Sequence, residues 1–181
     1  MKKKILIVEM ESHEKNLNEY FKIFDLNFDT HVFVTKKIKR NLNIRNNKII
    51  APNYHKLINY FLILFHIRKF DYVYFPSFLE YELYQKNILN YLNFFIKYFS
   101  FFLIIFLYKN KIIIKVVNIF HFFKIKNYKY NVFCKLRLFL LKKTNKFLME
   151  TKHLTNNLKK NFQLNKIENK NFTCLYIAHT N

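Results

Sequence analysis

The chain of 181 residues contains no glycine, and that excludes every ligand loop built on a glycine backbone. The dinucleotide fingerprint G-x-G-x-x-G, the phosphate loop G-x-x-x-x-G-K-[ST] and the nucleophile elbow G-x-S-x-G all need positive φ or an approach that a Cβ obstructs. A formal net charge of +21 points to anionic partners (lipid headgroups, nucleic acid or nucleotides), although abundant Lys, Asn, Ile, Phe and Tyr without Trp is also the profile of an AT-rich genome.

In chain order, apolar runs of two periods alternate. Ile5–Val8 is a solid apolar run between Lys4 and Glu9 and is predicted to be a buried strand. His13–Phe24 carries Leu17, Tyr20, Phe21 and Phe24 at the spacing of one helical face. Thr30–Thr35 is a second strand, and Lys36–Asn47 a loop or short surface helix. Lys48–Ala51 is a third, short strand closed by Pro52, His55–Lys69 an apolar helix, and Asp71–Phe75 a fourth strand. Leu79–Tyr108 reads as helical, but it would be about 45 Å long if continuous, so a break or kink is expected. Lys111–Val117 is a fifth strand, followed by a helix near Asn131–Lys142 and a strand at Lys146–Met149. A helix over Thr151–Phe162 and a last strand over Phe172–Ile177 complete the series.

Strands that are solidly apolar rather than alternating are buried on both faces. Separated by helices, they specify an α/β fold: a Rossmann-like, doubly wound parallel sheet of six or seven strands, in the order 3-2-1-4-5-6. Length and the absence of a linker or repeat predict one domain over residues 1–181. Cys134 and Cys174, forty residues apart with no C-x-x-C, read as reduced core thiols. The start Met1–Lys4 resembles a signal n-region, but the apolar run that follows is too short for an h-region. A cytoplasmic chain is therefore expected, for which the sequon Asn171-Phe-Thr173 has no meaning.

Ligands of such sheets bind at the carboxyl ends of the strands, where the winding reverses. The loops there are Glu9–Glu14 and Phe75–Glu80, and the exits of the fifth and sixth strands add Asn118, His121, Glu150, Thr151 and Lys152. Glu11, His13 and Glu14 form the densest titratable cluster and can supply a general base for a hydroxyl. The plainer role of such acids is to oppose a helix macrodipole. Ser77-x-x-Glu80 has the form of a capping box, and Thr151 that of an N-cap. His121 either orients a ligand or is packed within its aromatic run. The seven histidines are scattered, so no metal-ligand spacing, no cofactor motif and no catalytic triad can be assigned. In Ile88–Tyr108 the polar residues Asn90, Asn93, Lys97 and Ser100 leave an uninterrupted apolar run of only eight, against about 20 needed to span a bilayer. A buried crossover helix is expected, with an in-plane helix whose Lys97 and Lys109 snorkel to headgroups as the alternative.

Several of these segments carry a resemblance. KILIVEMESHEKNLNEYFKIF (residues 4–24) looks like the start of bacterial GT-B glycosyltransferases, whose first strand runs into a polar acceptor loop. HVFVT (31–35) stands at their second strand, and FDYVYFPS (70–77) is similar to the end of their fourth. VVNIFHFFK (116–124) resembles a strand leading into a Gly-Ile-Leu-His-like turn, with Asn118 in the glycine position. FLMETKHLTNNLKKNF (147–162) resembles a late strand–helix pair of the same half. The resemblance implies an acceptor-side domain in which Glu11 or His13 occupies the base position and His121 faces substrate. Glu14, Ser77, Asn118, Glu150 and Thr151 would line the acceptor site for a glycan or lipid-linked glycan. It implies that the donor sugar nucleotide is held by a second domain or a donor-binding chain, and the stretch Tyr176–Asn181 falls where a linker to it would begin. A truncated or split enzyme of surface polysaccharide or glycolipid synthesis, inactive alone, is the resulting expectation. A noncatalytic basic protein on an anionic membrane surface and a nucleic-acid-binding protein are the alternatives; no nucleic-acid recognition motif supports the latter.

Overall fold

Each apolar run read as a strand pairs in parallel with its neighbours, and the sheet they build covers both of its faces. The computed structural model describes residues 2–10, 14–77, 88–116, 128–149 and 171–174. Its elements are β1 (Lys4–Glu9), α1 (Glu14–Asp25), β2 (Asp29–Val34), α2 (Lys36–Lys39), a 3-10 turn (Asn46–Lys48), β3 (Ile49–Ile50) and α3 (Lys56–Ile67). They continue with β4 (Tyr72–Phe75), α4 (Ile88–Tyr108), β5 (Ile112–Val116), α5 (Tyr128–Lys143), β6 (Lys146–Met149) and β7 (Asn171–Cys174). The strands lie in the order β3-β2-β1-β4-β5-β6-β7, the expected doubly wound order extended by a seventh strand. β1 pairs with β2 on one side and β4 on the other, so the winding reverses between β1 and β4.

Side chains alternate between two layers, which explains why the strands read as unbroken apolar runs. Ile5, Ile7, Val32, Val34 and Tyr74 pack with Leu17 and Tyr20 of α1 and Ile38 of α2. Leu6, Val8, Phe33, Val73, Phe75, Ile112 and Ile114 pack on the opposite side, against α3, α4 and α5. Fully burying a side chain of this size stabilises the fold by about 1.5–3 kcal/mol, so the two layers supply most of the driving force.

Several boundaries shift for local reasons. β3 shrinks from the expected Lys48–Ala51 to two residues, because Lys48 closes the 3-10 turn and Pro52 has no N–H to donate. Within Lys36–Asn47 a short helix forms where the Thr35 hydroxyl caps the Ile38 N–H at 3.5 Å. α5 starts three residues earlier than Asn131. Residues 79–87, the helix Thr151–Phe162 and the last residues of the expected final strand lie outside the described residues.

Tyr91–Tyr108 of α4 is long and apolar enough, by length and composition, to cross a membrane. In the fold it is the crossover from β4 to β5, packed against α3 and α5, with Phe94, Phe101, Ile104 and Ile105 buried. Two of its polar interruptions, Lys97 and Ser100, turn inward. Ser100 donates to the Ile96 carbonyl at 2.9 Å, and Lys97 is 6% exposed with its Nζ 5.4 Å from the Tyr60 ring centroid. The expectation that Lys97 snorkels to headgroups is therefore corrected, since its stem is enclosed between α3 and α4. Lys109, beyond the helix end, is exposed.

Candidate functional site

The period of two that buries Ile5 and Ile7 against α1 carries one step further, to Glu9. Glu9 therefore points into the α1 layer at the carboxyl edge of the sheet and is 1% exposed. The register aligns Ile7 with Tyr74, which sets Glu9 level with Pro76 at the exit of β4. The next residue, Ser77, donates from Oγ to Glu9 Oε2 at 2.9 Å. A buried carboxylate must be hydrogen-bonded to be tolerated, and this hydroxyl supplies one such bond across the switch point.

β5 contributes the opposite charge. Phe75 is level with Ile114, so Lys115 is also level with Pro76, and it shares the parity of Ile113, which packs into the α1 layer. Lys115 is 6% exposed, and its Nζ donates to the Tyr20 hydroxyl and lies 5.1 Å from that ring's centroid. Tyr20 in turn meets Tyr74 of β4 edge-on at 5.4 Å. Glu9 and Lys115 thus bracket the exit of β4 on one face, with strand axes about 10 Å apart. The carboxyl edge of the sheet carries a carboxyl group on one side of β4 and an ammonium on the other.

Of the residues expected at this edge, Ser77 stands beside Glu9 as its hydrogen-bond donor, and Glu14 opens α1. Glu11, His13, Asn118, His121, Glu150 and Thr151 lie outside the described residues, as does Glu80, the expected capping partner of Ser77. The strands that lead to them, β1, β5 and β6, all end at this same carboxyl edge. Glu9, Tyr20 and Lys115 were not foreseen as site residues. A signal existed for two of them: Lys115 interrupts the solid run Lys111–Val117, and Glu9 ends Ile5–Val8, each a charge where a buried strand has no ready place for one.

A second polar cluster sits at the amino edge and is structural. Lys48 Nζ bonds Asp29 at the start of β2, and His31 Nε2 lies 3.3 Å from Asp29 Oδ1. The Lys48 hydrogen bond holds the Asp29 carboxyl below its ordinary range. Burial, and then the Lys48 charge, lower the His31 imidazole despite its carboxylate neighbour. The cluster ties the 3-10 turn to the sheet edge. Among the described residues no group of three His, Cys, Asp or Glu is placed to hold a metal ion. The chain matches no protein-family model and no curated protein.

Proposed function

We propose that this chain is the acceptor-side domain of a GT-B-type glycosyltransferase, with the Glu9–Ser77 pair at the acceptor site. The observation that carries the reading is that hydrogen-bonded pair at the topological switch point of a doubly wound sheet. A sugar acceptor presents several hydroxyls, and a carboxyl group is an acceptor for them. Transfer then requires the reacting acceptor hydroxyl to lose its proton, to Glu11 or His13 in the adjoining loop. The acceptor oxygen forms the new bond to the anomeric carbon as the bond from that carbon to the nucleotide phosphate breaks, and the nucleoside diphosphate leaves. A glycine-free chain has no flexible backbone cradle for that diphosphate, so the donor belongs to a second domain.

Calorimetric titration with a panel of oligosaccharides and with sugar nucleotides tests this reading. A saturable glycan heat that weakens at least tenfold in Glu9→Gln, with no sugar-nucleotide heat, is expected. Sugar-nucleotide binding without glycan binding, or glycan binding indifferent to Glu9→Gln in a folded variant, would overturn it.

A further inference from the structure

The two faces of the sheet are finished differently, and the outer surface of the α3–α4–α5 layer is the anomaly. Leu92, Phe95, Phe99 and Phe106 of α4 are 49–73% exposed. Their spacing of three, four and seven residues puts them on one stripe about 21 Å long, and the half-buried Phe102 falls in the same row. Phe102 and Phe106 stack at 6.2 Å between ring centroids within it. This stripe is not the core-facing one, which runs through Phe94, Phe101, Ile104 and Ile105. A helix with two apolar faces in a single-layered position has one face left to bury.

The stripe runs into a groove of about 530 Å³ between the C-terminal ends of α4 and α5. Phe102, Phe106 and Phe139 form its apolar wall, and Lys109, Lys142 and Lys143 stand at its polar rim. All three lysines are exposed, among the described residues none that lines the groove is acidic, and the Lys143 ammonium lies 5.6 Å from the Phe139 ring centroid. Lysines at helix C-termini also offset the dipole there. That role does not call for an aromatic floor beneath them or an apolar stripe leading to them.

We propose that this face docks on an anionic phospholipid bilayer, α4 lying in the interface with its aromatic stripe among the acyl chains and the lysine-rimmed groove taking a headgroup phosphate. Charge selects this occupant over a second copy of the chain. Two such faces would bring two sets of rim lysines together with no acid among the described lining residues, which like-charge repulsion opposes. A bilayer supplies apolar depth and negative charge at once, and an amphipathic surface with aromatic and basic residues is what partitions there. The proposal uses none of the residues around Glu9 and stands apart from the glycosyltransferase reading.

Flotation of the full chain with vesicles tests it, comparing phosphatidylcholine alone with phosphatidylcholine plus phosphatidylglycerol. Binding to the mixed vesicles only is expected, weakening as salt rises. Each lysine near an anionic surface is worth about fivefold in partitioning, so K109A/K142A/K143A loses roughly a hundredfold. F95D/F99D/F106D, checked for folding by circular dichroism, no longer floats, whereas Leu26→Asp on the opposite face floats like the parent. Equal binding to neutral vesicles, or undiminished binding by both triple variants, would overturn the proposal. So would a parent that ignores both vesicle types but dimerises through the stripe, or one that binds only nucleic acid.

Discussion

The α1 side of the sheet and the α3–α4–α5 side bury similar kinds of residue yet meet their surroundings in different ways. On the α1 side the helix is conventionally two-faced: Leu17 and Tyr20 are buried, while Glu19, Lys22 and Asp25 are exposed. Among the described residues only Ile23 and Leu26 of the eleven exposed large hydrophobics lie there, whereas nine lie on or beside α3, α4 and α5. Buried polar groups occur on both sides, and on the α3–α4–α5 side they include Lys97 of α4 and Arg137 of α5. Glu9 and Lys115 are buried at the carboxyl edge of the α1 layer and engage Ser77 and Tyr20. What differs is the outer finish: one side lies under a mostly polar surface, and the other under an apolar one. The fold alone demands neither arrangement.

The comparison first requires that both layers hold the fold, and core truncations test that with the largest expected effects. Phe101→Ala removes a ring that meets Phe75 edge-on at 5.0 Å, and a loss of about 3–5 kcal/mol is expected in denaturant unfolding. Leu17→Ala, its counterpart under α1, should cost about 2–5 kcal/mol. A negligible effect of either would mean that its layer is not part of the cooperative core.

A smaller effect separates polar burial from apolar burial. Lys115→Ala leaves the Tyr20 hydroxyl without the ammonium donor it accepts from, and a loss of about 1–3 kcal/mol is expected. Lys115→Met keeps the volume of the stem and should lose less. If neither variant loses stability relative to the parent, the contact with Tyr20 is incidental.

Acid should act through the α3 side. His66, packed on Phe33 at 5.4 Å, is held below the ordinary imidazole value first by burial, and His31 is lowered for the same reason with help from Lys48. Both bind fewer protons folded than unfolded, so the stability they lend is complete above the unfolded value of about 6.5 and is lost as pH falls through their depressed folded values. Tm measured from pH 7.5 down to 5 should decline, and H31N/H66N should flatten that decline. An unchanged slope would place the acid sensitivity elsewhere.

The smallest effect is the most telling for the outer surface. Phe99→Gln, on the exposed stripe, should change stability by no more than about 0.5 kcal/mol despite removing an aromatic ring. A core-sized loss would show that the stripe is covered by the protein itself.

Much of this architecture is legible in the residues. Solid runs such as Ile5–Val8 and Lys111–Val117 announce strands covered on both faces, and the winding order follows from the alternation with helices. That order alone sets Ser77 at the exit of β4, where its hydroxyl donates to Glu9, a partner outside the capping box. What could not be read is which way a polar residue turns. Lys97 looks like a snorkelling residue in a helix of uncertain setting, and only the neighbouring Tyr60 on α3 shows that it faces inward. Lys115 and Tyr20 are ninety-five residues apart, and their contact depends on strand parity that no local pattern encodes. The two apolar stripes of α4 were likewise merged into one hydrophobic run until burial divided them.

The most direct test of the central claim is an amide-resolved NMR titration of the folded chain with acceptor-type oligosaccharides. The expected result is a saturable set of shifts centred on Val8, Glu9 and Ser77, absent in Glu9→Gln and leaving Phe95–Phe106 of α4 unmoved. Shifts confined to α4, or produced by sugar nucleotides while the carboxyl edge of β1 and β4 stays silent, would contradict the account.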